Sequence, residues 1–123
     1  MRHILLSLFV LTFLSCYEKE RNCTDFKTGT FFSKVEIDGK TYTSRFKRDK
    51  TLQIETYNNK IDSSSLRWIN DCEVVFKTIN PKSMIDQKDI HLKILTTTDS
   101  SYTYEYAYVG EVQKQRGIAF KVN

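Results

Sequence analysis

A run of alternating residues around an Asp-Gly pair is the feature that most constrains the fold. From Phe31 to Phe46, apolar and polar side chains alternate on both sides of Asp38-Gly39. Asp-Gly between alternating segments is typical of a two-residue type I′ hairpin turn, since both central residues there need a positive φ. This turn places Val35 opposite Tyr42 and Phe31 opposite Phe46, so the apolar side chains share one face. We therefore predict an antiparallel sheet with one buried and one wet face.

The rest of the chain continues the same alternation. Further strands are predicted at residues 51–57, 62–69, 72–79, 89–97, 101–109 and 114–122, where 62–69 and 72–79 are either two strands or one strand bent at Asn70-Asp71. Asn80-Pro81 is expected to begin a short helical turn that ends near Gln87, with Pro81 at its first position. About eight strands with short connections and no long amphipathic helix predict an all-β fold. We expect an antiparallel up-and-down meander that forms a small closed or partly closed, lipocalin-like barrel, because closure removes free strand edges.

The pairing of the last predicted hairpins has two alternatives. A two-residue turn at 99–100 places Tyr104 opposite Leu95, whereas a three-residue loop at 99–101 places Tyr104 opposite Thr96. A slip of one residue exchanges the two faces of a strand. We favour the longer loop because it gathers four apolar residues on one side, namely Ile90, Ile94, Tyr106 and Tyr108.

The first fifteen residues have the pattern of an export signal. A short basic start is followed by the mostly apolar run 4–14 and then by Phe13-Leu14-Ser15-Cys16. The run is too short to span a bilayer and matches a secretory signal peptide. A cysteine after a small residue resembles the bacterial lipobox, in which the cysteine becomes the first residue of the mature protein. The resemblance implies diacylglycerol on the sulfur of Cys16 and an acyl chain such as palmitate on its amino group. The alternative is an ordinary signal peptide with a chance cysteine.

These signals divide the chain into a lipoprotein signal peptide at 1–15, a lipidated tether at 16–27 and one barrel domain at 28–123. Tyr17, rather than Asp, follows the cysteine, and the lipoprotein sorting rule then favours the outer membrane. Glu18 and Glu20 are interpreted as part of a solvated tether, although acidic residues here also resemble surface-export signals. The expected location is the cell envelope, with the protein held at the membrane by its lipid.

Two cysteines remain once Cys16 is lipidated. In an oxidising compartment Cys23 and Cys72 most simply form one disulfide. The alternatives are two buried free thiols or half of a metal site. A metal needs more ligands than this chain offers, because the mature part has only one histidine, His91, and no C-x-x-C pair.

A stripe of tyrosines is the main candidate for contact with a ligand. Its members alternate along one strand and are Tyr102, Tyr104, Tyr106 and Tyr108. Such a stripe can line a cavity, but tyrosine is also a good strand former that fills cores. Trp68, the only tryptophan, is a further candidate, and its alternative role is likewise packing in the core.

The charged residues argue against nucleic acid and against catalysis. The net charge of +4 is too small to indicate nucleic-acid binding, and the basic cluster Arg45, Lys47, Arg48 and Lys50 is interpreted as a solvated hairpin end. Glu55 and Asp62 can face each other across a hairpin, yet many β-proteins contain such pairs. The chain contains no nucleophile motif and no phosphate loop. We therefore expect no enzymatic activity and no cofactor.

Three segments carry a family resemblance that covers nearly the whole chain. They are Cys-Tyr-Glu-Lys-Glu-Arg-Asn-Cys-Thr-Asp-Phe-Lys-Thr-Gly-Thr-Phe, Arg-Trp-Ile-Asn-Asp-Cys-Glu and Leu-Lys-Ile-Leu-Thr-Thr-Thr. Together with the leader they resemble a family of small uncharacterised bacterial envelope lipoproteins, some of which carry an automatic label as DNA topoisomerase IV. That label does not fit a chain without a large, basic, metal-assisted DNA-binding assembly. Gly29-Thr30-Phe31 also resembles the Gly-x-Trp start of lipocalins.

The sequence thus predicts an outer-membrane lipoprotein that acts as a non-enzymatic ligand-binding or accessory module. An eight-stranded barrel has room for side chains or for one small ligand, here expected to be apolar. The alternative is a partner-binding envelope protein, such as an assembly factor or a hydrolase inhibitor.

Overall fold

The chain forms a closed eight-stranded barrel in a computed structural model, which describes residues 21–122. The strands are β1 (Gly29–Ile37), β2 (Lys40–Arg48), β3 (Leu52–Tyr57), β4 (Lys60–Asn70), β5 (Glu73–Thr78), β6 (Ile90–Thr97), β7 (Ser101–Tyr108) and β8 (Gln115–Lys121). Each strand pairs antiparallel with the next, and β8 pairs with β1 to close the barrel. The predicted all-β meander is confirmed.

The first hairpin has the predicted turn and register. Asp38 and Gly39 have φ values of 51° and 79°, the positive pair that a type I′ turn requires. Val35 pairs with Tyr42 and Phe31 with Phe46. Asn58 and Asn59 make the same kind of turn between β3 and β4, with φ values of 47° and 62°.

The hairpin between β6 and β7 has the two-residue turn at 99–100, since Thr98 N–H donates to the Ser101 carbonyl at 2.8 Å and Thr97 pairs with Tyr102. Tyr104 pairs with Ile94, whereas Thr103 pairs with Thr96, so the ladder shifts between Ile94 and Thr96. The favoured three-residue loop is therefore wrong, and the two-residue register holds as far as Thr96, beyond which a β-bulge adds one unpaired residue to β6. The predicted face is nevertheless right, since Ile94 and Tyr104 are both buried in the barrel.

The helical turn before β6 is shorter than predicted. It is a 3₁₀ turn at Ile85–Gln87, so its end is confirmed and its predicted start at Pro81 is wrong. Asn80 has a φ of 54°, which turns the chain away from a helix. The backbone N–H of Asp86 donates to Ser83 Oγ at 3.3 Å, so the side chain that supports this turn is that of Ser83 and not that of Asn80.

The barrel has two distinct ends. The mouth is the end that carries the turns 38–39 and 58–59 and the longer connections 79–89 and 109–114. The opposite end, here called the base, carries the connections 49–51, 71–72 and 98–100. A 3₁₀ turn at Cys23–Phe26 lies at the base just before β1.

The segment before β1 covers the base rather than standing apart from it. Phe26 is 1% exposed, and its ring centroid lies 5.2 Å from that of Tyr102. Arg21 Nη1 donates to the Ile94 carbonyl at 2.9 Å, and Lys121 Nζ donates to the Asp25 carbonyl at 2.7 Å. Residues 21–27, which the sequence places in a tether, therefore pack across the barrel end. The predicted lipidation residue Cys16 lies outside the described residues.

The disulfide predicted between Cys23 and Cys72 is present, with Cα atoms 5.2 Å apart. It joins the segment that covers the base to the turn between β4 and β5. Lys27 supports the same junction, since its Nζ lies 2.8 Å from Asp71 Oδ1 and 5.2 Å from the centroid of the Trp68 ring. The base is thus fixed both covalently and electrostatically.

We expect removal of this disulfide to lower the free energy of unfolding. The two cysteines are 49 residues apart, and a loop of this length corresponds to about 4 kcal/mol in the chain-entropy model. The double variant Cys23→Ser/Cys72→Ser should therefore unfold at lower denaturant concentration, as measured by circular dichroism. Reduction of the unaltered protein should give the same shift, and an unchanged midpoint in both cases would contradict the assignment.

Candidate ligand-binding cavity

A cavity of about 460 Å³ lies inside the barrel and opens toward the mouth. Its wall is divided into two sides. Residues of β1 and β5 to β7 form a mainly apolar and aromatic side, with Val35, Phe76, Ile90, Leu92, Tyr102, Tyr104 and Tyr106. Residues of β2 to β4 form a mainly polar side, with Ser44, Gln53, Glu55, Asp62 and Ser64.

The tyrosines of β7 follow one another along the apolar side. Ring centroids are 5.6 Å apart between Tyr102 and Tyr104 and 5.9 Å apart between Tyr104 and Tyr106. Gly117 on β8 makes room for the central ring, because a Cβ at this glycine would lie 2.6 Å from the Tyr104 hydroxyl oxygen. A side chain at position 117 would therefore push Tyr104 into the cavity.

Hydroxyl groups link the two sides halfway along the cavity. Ser33 Oγ on β1 and Ser44 Oγ on β2 are 2.9 Å apart, which is hydrogen-bond distance. Burial raises the pKa values of the Tyr104 and Tyr106 hydroxyls, so both remain protonated and available as donors.

Glu55 is the carboxyl group at this level of the cavity. It pairs directly with Asp62 across the β3–β4 hairpin, as the sequence suggests. Burial raises the pKa of Glu55 most, the nearby charge of Asp62 raises it further, and a hydrogen bond from Ser44 opposes both effects. The wall therefore favours a protonated Glu55, which can donate as well as accept a hydrogen bond.

Arg48 forms the floor of the cavity. Its side chain is 3% exposed and its guanidinium lies among aromatic rings, with Cζ 5.0 Å from the centroid of Phe46 and 5.3 Å from that of Phe31. Nε donates to Gln53 Oε1 at 3.0 Å, Nη1 to the Phe26 carbonyl at 2.9 Å and Nη2 to the Tyr102 hydroxyl at 3.1 Å. All three acceptors are uncharged groups: an amide, a backbone carbonyl and a phenol. Among residues 21–122, no carboxylate forms an ion pair with Arg48.

This position of Arg48 corrects the interpretation of the basic cluster as a solvated hairpin end. Arg45, Lys47 and Lys50 are exposed, but Arg48 points inward. The signal was present in the alternation, because Phe46 faces the core and the residue two positions later faces the same side of a strand. A cluster of four basic residues does not by itself show that Arg48 shares the inward face of the strand with Phe46.

The candidate ligand-facing residues separate into two groups. Tyr102, Tyr104 and Tyr106 line the cavity. Tyr108 lies beyond them at the end of β7, with Lys88 Nζ 5.6 Å from its ring centroid. Trp68 packs against the core of the base, with Arg48 Cζ 5.8 Å from its ring centroid, and its buried Nε1 has no hydrogen-bond partner among the described residues.

The remaining sequence candidates lie outside the cavity. His91 is on the outer surface, where Nε2 lies 3.0 Å from Glu73 Oε1. Within residues 21–122, no group of three or more His, Cys, Asp or Glu side chains is arranged to hold a metal ion. Over the same residues, no helix has the length and apolar character needed to cross a membrane.

Comparison of the chain with protein-family models, curated proteins and solved structures finds no match. The kind of ligand that the cavity could bind is therefore inferred from the residues that line it.

We expect Glu55→Gln to stabilise the protein at neutral pH. A carboxyl group whose pKa is raised on folding binds its proton more tightly in the native state, so it disfavours folding as the pH rises through the raised pKa. Glutamine keeps a hydrogen-bonding side chain without the ionisation. Thermal unfolding should show a higher midpoint for the variant at neutral pH and no difference well below the ordinary pKa of 4.5.

Glu36→Gln, on the exposed outer face of β1, is the matched control for loss of one negative charge. An equal gain in both variants would attribute the effect to net charge rather than to burial of Glu55.

Proposed function

We propose that this protein is a non-enzymatic binding module that holds one small amphipathic molecule inside its barrel. The observation that carries the proposal is the cavity of about 460 Å³ that opens at the mouth. Eight-stranded barrels are narrow enough for side chains to fill them, so an interior left open is compatible with a ligand site. Ligand pockets commonly measure about 300–1,000 Å³, and this cavity falls within that range.

The two sides of the wall indicate the kind of ligand. Phe76, Leu92 and the β7 tyrosines offer apolar surface, which favours a hydrocarbon or aromatic body. Ser44, Glu55 and Gln53 face them with hydrogen-bonding groups. The cavity is therefore better suited to an amphipathic molecule than to the purely apolar ligand that the tyrosine stripe alone suggests.

The proposal includes the anchor expected from the sequence, namely acyl chains on Cys16 in the outer membrane. Its support is the leader and cysteine of the sequence, and the fold adds the course of residues 21–27, which cross the base of the barrel. An anchor just before this segment would hold the base near the membrane, and the mouth would then lie at the far end from the attachment point.

A cavity-filling substitution tests the binding function. Ser64 lines the cavity, whereas the next residue, Ser65, is exposed on the outer face of β4. The uncharged fluorescent probe N-phenylnaphthylamine should bind the unaltered protein, and Ser64→Phe should weaken this binding by roughly tenfold or more through loss of cavity volume. The matched variant Ser65→Phe should leave the fluorescence titration unchanged.

Circular dichroism should show that both variants fold. If Ser64→Phe does not fold, the pair Thr78→Phe and Lys77→Phe on β5 repeats the comparison, since Thr78 lines the cavity and Lys77 is exposed. Equal probe binding by the inward and outward variants, or no binding by the unaltered protein, would contradict the proposal.

Exposed apolar side chains at the mouth favour a second candidate function, binding of an envelope protein. Met84 and Val112 are 85% and 96% exposed, and they belong to neighbouring connections. The Val109 N–H donates to the Asp89 carbonyl at 2.9 Å, and Lys88 Nζ lies 3.4 Å from Glu111 Oε1. The two connections are thus joined to each other at the mouth, and each carries an exposed apolar side chain.

This second candidate predicts contact at the mouth and not at the base. A photo-crosslinking residue at position 84 should capture one envelope protein in intact cells, because Met84 would lie in the interface. The same residue at position 69 is the control, since Ile69 is also exposed but lies at the base end of β4. Capture from both positions, or from neither, would argue against a specific partner at the mouth.

A further inference from the structure

We infer that the ligand carries a single carboxylate, which the guanidinium of Arg48 binds at the floor of the cavity. This inference rests on the proposed binding function and adds the chemical class and the orientation of the ligand. It places the charged end of the molecule at the base of the barrel and its apolar body toward the mouth.

The first argument is the number of hydrogen-bond donors on Arg48. A guanidinium has five N–H groups, of which one is on Nε and two are on each terminal nitrogen. Gln53, Phe26 and Tyr102 each accept one bond, from Nε, Nη1 and Nη2 respectively. One N–H on each terminal nitrogen therefore has no acceptor among residues 21–122. Two donors on neighbouring nitrogens equal in number the hydrogen bonds that the two oxygens of one carboxylate accept in a bidentate pair.

The second argument is charge. Arginine keeps its positive charge in proteins, and burial of a charge without an opposite partner is costly. The aromatic rings of Phe31, Phe46 and Phe76 lie near the guanidinium and partly stabilise it, with Arg48 Cζ between 5.0 and 5.8 Å from their centroids. They do not neutralise it, however. A ligand with one negative charge would do so, in a surrounding where attraction between opposite charges is stronger than in water.

The third argument concerns the acidic groups of the cavity. Glu55 and its cross-strand partner Asp62 lie side by side on the wall, while Asp86 belongs to a connection at the mouth. Among the described residues none of the three is within ion-pair distance of Arg48 or hydrogen-bonded to it. No acidic group of the described wall therefore neutralises the positive charge at the floor.

The apolar side of the wall then accounts for the rest of the ligand. Phe76 and Leu92 lie on β5 and β6, and the rings of Tyr104 and Tyr106 continue beside them toward the mouth. A body that leads away from Arg48 would pack along these side chains. The favoured class is an amphiphile with a terminal carboxylate and an aliphatic or aromatic body.

Ligands that differ only in their head group test the inference on the unaltered protein. Dodecanoate, dodecanol and dodecylamine would each be used to displace N-phenylnaphthylamine at neutral pH. The carboxylate should bind at least roughly tenfold more tightly than the alcohol, as charge-assisted hydrogen bonds to Arg48 require, and the amine should bind most weakly.

The outcomes separate this inference from the binding function itself. If the probe binds and the acid and the alcohol displace it equally, the cavity binds ligands but Arg48 does not select a carboxylate. If neither the probe nor any of the three amphiphiles binds, the proposed function fails as well. Tighter binding of the amine would also overturn the inference.

Variants of Arg48 add a second comparison. Arg48→Met removes the charge and all five donors, and it should abolish the preference for dodecanoate over dodecanol. Arg48→Lys keeps the charge but loses the paired donors, and it should retain part of the preference. Arg45→Met is the matched control on the exposed face of β2 and should leave the preference unchanged. If Arg48→Met does not fold, the head-group comparison on the unaltered protein decides.

Trp68 reports the orientation of the ligand. It is the only tryptophan of the chain, and its ring centroid is 5.8 Å from Arg48 Cζ. Dodecanoate brominated next to the carboxylate should quench Trp68 fluorescence strongly, whereas dodecanoate brominated at the far end of its chain should quench it weakly. The reverse order would place the carboxylate at the mouth and contradict binding by Arg48.

Discussion

Closure of the sheet is the constraint on which the rest of the structure depends. Once β8 pairs with β1, all eight strands have two neighbours, and the space inside is set by the side chains that point inward. Toward the base these side chains are large: the Phe31 ring is stacked on that of Phe46, and Phe26 of the covering segment lies on Phe31. Toward the mouth the inward positions of β2 and β4 include serines. The cavity therefore results from the size of the inward residues rather than from any opening between strands.

Arg48 stands out against this background because stability alone does not explain it. A buried ionic group is often replaced by apolar residues of similar volume without loss of stability, and sometimes with a gain. A long apolar side chain at position 48 would still pack against Phe31 and Phe46. It would not place N–H donors at the floor of a cavity. The presence of a charged group among aromatic rings is thus better explained by the binding role that we propose than by packing.

The fold was more predictable from the sequence than the site was. The Asp38-Gly39 turn is local, and it determines the β1–β2 register through short-range geometry alone. The bulge between Ile94 and Thr96 depends on how two strands fit a curved barrel, so alternation within one strand does not reveal it. The tyrosines could be assigned to one face, but whether that face lines a cavity depends on the residues opposite, on strands far away in the sequence.

The burial of Arg48 was also difficult to predict from the sequence. Its neighbours Arg45, Lys47 and Lys50 are exposed, and composition groups all four together. Only periodicity distinguishes Arg48, and only the three-dimensional arrangement brings it to Gln53 and Tyr102. The residues that matter most for the proposed site are therefore those whose partners come from different strands.

The disulfide connects these observations. Cys23 and Phe26 belong to one 3₁₀ turn, and the Phe26 carbonyl accepts a hydrogen bond from Arg48 Nη1. The bond from Cys23 to Cys72 therefore fixes not only the covering of the base but also one of the three acceptors that orient the guanidinium. In an isolated strand a long arginine side chain would sample many rotamers. Here a backbone carbonyl, itself fixed by the disulfide, and two side chains hold the guanidinium in one direction, which would lower the entropy cost of binding the ligand that we propose.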